Sequence, residues 1–378
     1  MKVRILFIRS LPLERDARSS KMVAAYRARG HHVAPLIWSR GADPATDSNS
    51  ITCAIKTGYG RGFRGIGARL GWMWFIARQM ICRRHDYDIV HVVDLDTGIV
   101  GVPLARLLRK QVVYDAFDHI AAITAGAAGA LLARIERWAI GSATIAIFPD
   151  PVRLEQYGVA ANERTYIIGN IPDMRDVVAN KDPLPRRACQ TLRIVYIGTL
   201  EARHRGLEYL PALCAEFSDR IEVVVGGTGE LDDYFTAAAS EYRNLSYIGH
   251  LDYDTALRRM ADADCLYGPY LLSAPAHRYA SPNKMYEHLA LGKPLITSAG
   301  TPPATLVERL NSGFLFDGSS DDLKALIDHL DPLQCREAGQ RAAHAWRSEF
   351  AALRVAQLER FFARFDDVTK PSAKASGI

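Results

Sequence analysis

Short apolar runs alternate with longer helix-like segments along the first half of the chain. The runs are rich in Val and Ile, as expected of strands buried on both faces of a parallel sheet. They cover 3–8, 33–38, 88–93, 111–114 and 144–148. Helices are predicted between them, around 22–28, 98–108 and 127–140. This β-α-β order predicts a doubly wound parallel sheet.

The same order starts again in the second half, with strands predicted at 192–197, 221–225, 245–248, 265–267 and 293–297. The stretch 171–190 is rich in Pro and charge and interrupts the pattern, which suits an interdomain linker. We therefore predict a Rossmann-like domain over 1–170 and a second over 191–345, facing each other across a cleft. The remaining 346–378 is predicted to be a helix that packs back toward the first domain, followed by a frayed tail.

Length and composition fit a folded protein of two domains. The chain has 378 residues, 48% of them apolar and 24% charged, which excludes disordered and collagen-like classes. The six cysteines are scattered without zinc or disulfide spacing and suit a reducing cytoplasm. The N-terminus does not resemble a signal peptide, and the longest uncharged stretch of the first half, 120–133, is too short to span a bilayer.

Net charge is unevenly distributed along the chain. It is +5 overall, but residues 1–180 sum to +8 (24 basic and 16 acidic) and residues 181–378 to −3 (23 basic and 26 acidic). The first half is therefore the half expected to meet an anionic partner.

The segment 281–287 carries the most informative chemistry. Ser281 suits an N-cap and Pro282 the first helical position. Asn283 and Lys284 would then lie in the first turn, where unpaired N–H groups and the helix dipole attract an anion. Glu287, one turn on, could accept hydrogen bonds from sugar hydroxyls. An ordinary capped helix with a solvated Glu287 is the alternative.

Two more loops follow predicted strands of the second half. The loop 198–206 contains Arg203 and Arg205, whose guanidinium groups match phosphate oxygens, although a solvated surface loop would look the same. Gly226 and Gly227 open a second loop, where the backbone could approach a ligand closely. The three loops together predict a site for a nucleoside diphosphate.

The residues 281–296, SPNKMYEHLALGKPLI, resemble the donor-binding signature of the GT-B glycosyltransferases of group 1, the family 4-like class. The resemblance covers most of the chain, with weaker similarity to xanthan-type inverting glucuronosyltransferases around 113–118. It implies that Glu287 binds the nucleotide ribose. It also implies a donor site formed by Ser281, Asn283, Lys284, Glu287, Thr199, Arg203, Arg205, Gly226 and Gly227. The chain departs from the family pattern at Tyr279, Thr199 and Phe117, where the family has Glu, Arg and His.

The resemblance further implies transfer of a sugar from a nucleoside diphosphate sugar, with UDP favoured over GDP, and no metal or other cofactor. An inverting enzyme would need a base near the acceptor hydroxyl. Asp118 is the first candidate for it, followed by Asp94 and His119, and a loop-capping Asp or a surface His is the alternative for each. A retaining enzyme could use Asp118 to orient the acceptor, and the sequence leaves both outcomes open.

The basic stretch 61–84 has no acidic residue and is interleaved with Trp and Phe. It predicts peripheral binding to an anionic membrane, on the cytoplasmic leaflet, with a polyprenyl-diphosphate-linked glycan as acceptor. Arg18, Arg64, Trp72 and Trp74 are assigned to this acceptor or membrane side. A domain helix with core aromatics is the alternative, and no nucleic-acid-binding motif is present.

Two rival functions remain open from the sequence. One is a nucleotide-sugar epimerase of GT-B shape, which would use the same fold and donor. The other is a non-catalytic, nucleotide-sugar-binding subunit of an envelope assembly complex, which the departures at Tyr279 and Phe117 would suit.

Overall fold

The structure is a computed structural model that describes residues 2–40, 49–57, 65–124, 126–173 and 191–370. The chain forms two compact units. The first contains the residues up to Gly169 and those from Gln357 onward, and the second runs from Asn170 to Ala356. The predicted linker lies outside the described residues except at 171–173. The second unit continues past the predicted boundary at 345.

The first unit contains a seven-stranded parallel sheet with helices packed on it. The strands are β1 (Arg4–Arg9), β2 (His32–Trp38), β3 (Ile51–Cys53), β4 (Ile89–Val93), β5 (Gln111–Asp115), β6 (Ile145–Phe148) and β7 (Thr165–Ile167). Their order in the sheet is β3-β2-β1-β4-β5-β6-β7. The helices are α1 (Ala17–Ala28), α2 (Ile66–Cys82), α3 (Leu95–Leu107), α4 (Gly126–Ser142) and α5 (Pro151–Tyr157).

The second unit repeats this architecture with a six-stranded parallel sheet. The strands are β8 (Leu192–Ile197), β9 (Ile221–Gly226), β10 (Leu245–Tyr247), β11 (Cys265–Tyr267), β12 (Leu295–Ser298) and β13 (Gly313–Phe316), in the order β10-β9-β8-β11-β12-β13. The helices are α6 (Leu210–Glu216), α7 (Asp232–Glu241), α8 (Tyr253–Ala261), α9 (Lys284–Leu291), α10 (Pro302–Leu310), α11 (Ser320–His329) and α12 (Pro332–Ala345).

The predicted doubly wound parallel α/β class is confirmed for both units. The five strands predicted in each half correspond to strands of the structure. The short strands β3, β7 and β13 were not predicted.

Both sheets reverse their strand order once, and the reversal defines a switch point in each unit. In the first sheet it lies between β1 and β4, and in the second between β8 and β11. Sheets of this kind bind ligands beyond the carboxyl ends of the strands at the switch point. The residues that follow these four strands are therefore the first place to look for a functional site.

Asp94 follows β4 at the first switch point in a backbone conformation that is nearly exclusive to glycine, with φ 62° and ψ 174°. Its carboxylate accepts a 2.9 Å hydrogen bond from Arg9 and bonds of 2.6 and 3.0 Å from the backbone N–H groups of Phe117 and Asp118. Such a conformation costs about 1–3 kcal/mol and persists only where its surroundings fix it. These three hydrogen bonds hold Asp94 in place.

The last helix, α13 (Leu353–Val368), completes the core of the first unit. Its side chains Phe361, Phe362 and Phe365 are at most 1% exposed. All three rings pack around Tyr26 of α1, with centroid distances of 6.0, 5.6 and 5.2 Å. The helix α13 is thus part of the hydrophobic core built on the first sheet.

Phe361→Ala should lower the free energy of unfolding by about 3–5 kcal/mol, because it leaves a cavity in a close-packed core. Val355→Ala is the control, since Val355 lies on the same helix but is 56% exposed; its effect should stay within about 0.5 kcal/mol. Urea denaturation of both variants measures the difference. Equal effects would contradict the packing of α13.

Asp94→Gly should be more stable than Asp94→Ala by about 1 kcal/mol or more, because both variants lose the carboxylate but only Ala keeps a Cβ in the strained conformation. Asp96 lies in the first turn of α3, so there the order should reverse, with Ala better than Gly by about 1 kcal/mol. Thermal unfolding of the four variants tests this. A more stable Ala at both positions would contradict the strain.

Candidate functional site

Lys284, the first residue of α9, lies at the switch point of the second sheet. Its Nζ donates a hydrogen bond to the carbonyl of Ile197, the last residue of β8, and lies 4.5 Å from the centroid of the Tyr196 ring. A Cβ added to Gly198 would be 2.9 Å from this Nζ, and one added to Gly268, after β11, would be 3.0 Å from the Lys284 Cδ. The side chain therefore occupies the space between the ends of β8 and β11.

Burial dominates the electrostatics of Lys284. It lowers the pKa of the ammonium to about 8, a change that Glu287 opposes and Arg205 increases. Glu287 is 4% exposed and lies one turn along α9. A cation taken from water without a full counter-charge is stabilised by an arriving anion. Lys284 is thus a buried cation suited to an anionic ligand.

The helix α9 begins at Lys284, later than the predicted start at Pro282. Asn283 is the N-cap residue, and its carbonyl accepts hydrogen bonds from the N–H groups of Tyr286 and Glu287. Ser281 therefore does not cap the helix as predicted. Its Oγ is buried and has no hydrogen-bond partner within the described part of the chain, which leaves a hydroxyl available beside the helix N-terminus.

The loop after β8 holds the second cation of the predicted donor site. The Arg205 Nε lies 3.0 Å from a Glu201 carboxylate oxygen, and its guanidinium lies 4.2 Å from the centroid of the Tyr270 ring. Thr199 is exposed, and its carbonyl accepts a 2.6 Å hydrogen bond from the Tyr196 hydroxyl. Arg203 is also exposed. Arg205 is thus fixed by neighbours, whereas Thr199 and Arg203 lie at the rim.

Gly226 and Gly227 pack against the loop that follows β8. Gly227 has φ +122°, and a Cβ there would lie 1.8 Å from the carbonyl oxygen of Gly198. The Gly198 N–H donates to the Gly226 carbonyl at 3.0 Å. The contact between the two loops is enough to require glycine at 227, whether or not a ligand also lies close to it.

A buried ionic network lies at the switch point of the first sheet. Arg9, which ends β1, contacts Asp16 at 2.6 Å and Asp94 at 2.9 Å. Arg18 contacts Asp115, which ends β5, at 2.9 Å. All five side chains are at most 10% exposed. Removing one partner of such a pair would leave an uncompensated buried charge, which is strongly destabilising.

Phe117 lies between the two arginines of this network. The guanidinium groups of Arg9 and Arg18 are 4.8 and 4.7 Å from the centroid of its ring. An aromatic face stabilises a nearby cation, and an imidazolium in its place would repel both arginines. The departure from the family pattern at Phe117 therefore has a local reason.

The three candidate catalytic residues lie together at this edge of the sheet. Asp118 is exposed, and its backbone N–H donates to Asp94. His119 packs its ring 4.5 Å from that of Tyr157, and its Nε2 lies 3.5 Å from the Glu136 carboxyl. Burial raises the pKa of Asp94 and lowers that of His119. Asp94 is engaged in internal bonds, so Asp118 is the accessible carboxylate.

The aromatic residues of α2 divide between the core and the surface. Trp72 is 1% exposed and stacks against Trp38 and Phe75, so its predicted place on the membrane side is wrong. Trp74 is 65% exposed, with the Arg78 guanidinium 5.9 Å from its ring centroid. Arg64 lies outside the described residues. No helix in the described ranges is long and apolar enough to cross a membrane.

The sequence predictions missed several residues of these sites. Arg9 was not singled out, although it stands at the carboxyl end of a predicted strand, a position that could have marked it. Tyr270, which stacks on Arg205, follows β11 in the same way. Glu136 stands between Arg134 and Arg137 in the sequence, yet its side chain is fully buried.

Comparisons with known proteins agree with this geometry. A family model described as "Glycosyl transferase 4-like domain" matches residues 16–167, and one described as "Glycosyl transferases group 1" matches residues 191–333. No curated protein sequence matches the chain.

Three solved structures share the fold of nearly the whole chain. Sucrose-phosphate synthase from Thermosynechococcus elongatus is 15% identical with a TM-score of 0.73, and the match covers 97% of this chain and 99% of that one. HepE from Anabaena, in complex with UDP and glucose, is 16% identical with a TM-score of 0.68, covering 97% and 100%.

The third structure is WaaG, described as a glycosyltransferase involved in lipopolysaccharide biosynthesis. It is 16% identical with a TM-score of 0.64, and the match covers 94% of this chain and 98% of that one. The two family models together cover most of both units. The chain therefore belongs to the group 1 glycosyltransferases, and its two parallel-sheet units have the GT-B fold.

Proposed function

We propose that this glycosyltransferase moves a sugar from a nucleoside diphosphate sugar to a hydroxyl of a lipid-linked glycan, in cell-envelope or exopolysaccharide synthesis. The observation that carries the proposal is Lys284, buried at the switch point of the second sheet between the ends of β8 and β11. A UDP-sugar is favoured as donor over a GDP-sugar, and the UDP complex of the structurally similar HepE supports this preference.

In this proposal the diphosphate of the donor meets three kinds of group. Lys284 and Arg205 supply positive charge, the N-terminus of α9 supplies the positive end of the helix dipole, and the buried Ser281 hydroxyl supplies a donor that has no partner in the described residues. Glu287 would accept hydrogen bonds from the ribose hydroxyls. Asn283 and the glycine loop at 226–227 would line the nucleotide.

The reaction breaks the bond between the anomeric carbon and the diphosphate oxygen, and the nucleoside diphosphate leaves with the electron pair. The acceptor oxygen forms the new bond to that carbon and gives its proton to a base. Lys284, Arg205 and the helix dipole would stabilise the charge that grows on the leaving group, which makes the proposed transfer metal-independent.

The acceptor is assigned to the first unit. Asp118 would take the proton of the acceptor hydroxyl if configuration inverts, or orient the acceptor if it is retained. Its exposed position on the loop after β5 supports either role. Asp94 would act as a positioning residue, since its carboxylate binds the N–H groups of Phe117 and Asp118. Arg18 would contribute through its stacking on Phe117.

The outer face of α2 supports peripheral binding to an anionic membrane, on the cytoplasmic side. Ile66, Leu70, Trp74 and Ile81 recur on it at helical spacing and are 43%, 60%, 65% and 47% exposed. The helix has no acidic residue, and its arginines are interleaved with these side chains. Apolar side chains among cations fit the interface of a bilayer that contains anionic lipid.

The rival functions give different products. An epimerase would change the sugar of the donor without any acceptor, and a non-catalytic subunit would bind the donor without turnover. Incubation with radiolabelled UDP-glucose, with and without vesicles that contain polyprenyl-diphosphate-linked glycan, separates the three. Label that moves to lipid only when acceptor is present supports the transferase.

Lys284→Met should weaken binding of UDP by about tenfold to a hundredfold, because one charge-assisted contact to phosphate is lost. Lys324→Met is the matched control, since Lys324 pairs with Glu216 on the surface. Isothermal titration calorimetry measures both. Binding by the wild type should also decline as pH rises through about 8, where Lys284 loses its proton. Unchanged affinity in Lys284→Met would remove the main site assignment.

Trp74→Glu should reduce flotation with vesicles that contain anionic lipid several-fold, because it puts a carboxylate on the face proposed to enter the bilayer interface. Leu333→Glu is the control, since Leu333 is 58% exposed but lies in the second unit. Wild-type binding should fall as salt rises. Equal flotation of the two variants, or no binding by the wild type, would contradict the membrane surface.

A further inference from the structure

Glu136 is a fully buried acid on α4 with an incompletely bonded carboxyl group. Its Oε1 accepts a 2.9 Å hydrogen bond from the Tyr114 hydroxyl. Its Oε2 has no hydrogen-bond partner in the described ranges and lies 3.5 Å from His119 Nε2. Burial of such a group costs free energy unless it is bonded. A carboxyl group kept here at that cost points to a role beyond packing.

The surroundings of Glu136 are arranged around this contact. A Cβ on Gly98 of α3 would lie 2.6 Å from the Tyr114 ring, so the glycine leaves space for the tyrosine that bonds Glu136. On its other side, His119 packs against the Tyr157 ring at 4.5 Å. Tyr114, Glu136 and His119 thus form a chain of contacts from β5 to the loop that carries Asp118.

We propose that Glu136 is a positioning residue, which fixes the His119 imidazole through a buried carboxyl–imidazole contact and so sets the tautomer of the ring that follows Asp118 in the loop 116–119. The proposal rests on the assignment of the acceptor to the first unit. The Glu136 carboxyl, while protonated, donates to Nε2 and leaves the proton of the ring on Nδ1. Once ionised, the carboxylate accepts a hydrogen bond from Nε2–H. The other ring nitrogen, Nδ1, then carries no proton.

The protonation state of Glu136 changes within a pH range that the test can cover. Burial raises the pKa of Glu136 to about 8. Burial also lowers the pKa of His119, and Arg153 and Arg137 lower it further. The imidazole therefore stays neutral while Glu136 loses its proton. The other groups that act on Glu136 come from the elements around it: Asp94, Asp96, Tyr114, Asp118, His119 and Tyr157.

The test is ¹⁵N NMR of the His119 ring in the whole protein, without donor or acceptor, from pH 6 to pH 10. The wild type should change from the Nδ1–H to the Nε2–H tautomer near pH 8. Glu136→Gln should show no change of tautomer between pH 6 and pH 10, because an amide does not ionise in this range. A wild-type ring with no change of tautomer overturns the proposal, whatever the activity.

Two conservative variants distinguish positioning from general damage to the fold. Tyr114→Phe removes the hydrogen bond that lowers the pKa of Glu136, so the change of tautomer should move to higher pH. Tyr26→Phe removes a comparable buried hydrogen bond, between Tyr26 and His91 at 3.0 Å. It should not alter the pH at which the His119 tautomer changes. The same shift in both variants would overturn the assignment to Glu136.

Turnover supplies the second readout. With vesicle-bound acceptor, kcat of all variants should decline above pH 8 as Lys284 loses its proton. The decline should be smaller in Glu136→Gln than in the wild type, and the additional decline of the wild type should be displaced in Tyr114→Phe. A tautomer change in NMR with identical pH profiles in wild type and Glu136→Gln would overturn the positioning role. A wild type that binds UDP-glucose but transfers to no acceptor overturns the proposed function instead, and the NMR titration still decides the contact.

Discussion

A parallel sheet whose strand order reverses leaves a gap at the carboxyl ends of its two central strands, and each unit of this protein places a buried cation in that gap. In the second unit it is Lys284, bonded to the last carbonyl of β8. In the first unit it is Arg9, which ends β1 and reaches Asp94 after β4. Both cations lie at the switch point, where sheets of this kind bind ligands. The chemistry of the two units follows from how each cation is neutralised.

Arg9 is neutralised within the fold, because Asp16 and Asp94 both contact its guanidinium. The result is a rigid network that fixes the backbone of the loop after β5, including Asp118. Lys284 instead has a carbonyl, an aromatic face and the charge of Glu287 nearby, and its pKa is lowered. One unit uses its buried cation to hold protein groups in place, and the other keeps a cation whose charge an anionic ligand can satisfy.

Some of these features could be predicted from the sequence, and others could not. Buried strands such as β4 and β9 are continuous runs of Val and Ile, so the architecture was accessible from the pattern alone. Lys284 was found because it follows Ser-Pro-Asn at a helix start. Trp72 was misassigned because periodicity does not say which side of an amphipathic helix meets the core. Glu136 was missed because an acid between two arginines resembles a solvated surface, and only the tertiary structure shows it beneath Tyr114.

The first unit keeps local arrangements that oppose stability. Asp94 has a strained backbone, and Glu136 buries a carboxyl group whose proton is retained until about pH 8. Both contact the loop that carries Asp118, because Asp94 bonds the N–H groups of Phe117 and Asp118 and Glu136 lies 3.5 Å from His119. Strain and unpaired polar groups persist where the surrounding structure fixes them and where function needs a defined geometry. The presence of both beside Asp118 supports the proposed assignment of the acceptor to the first unit.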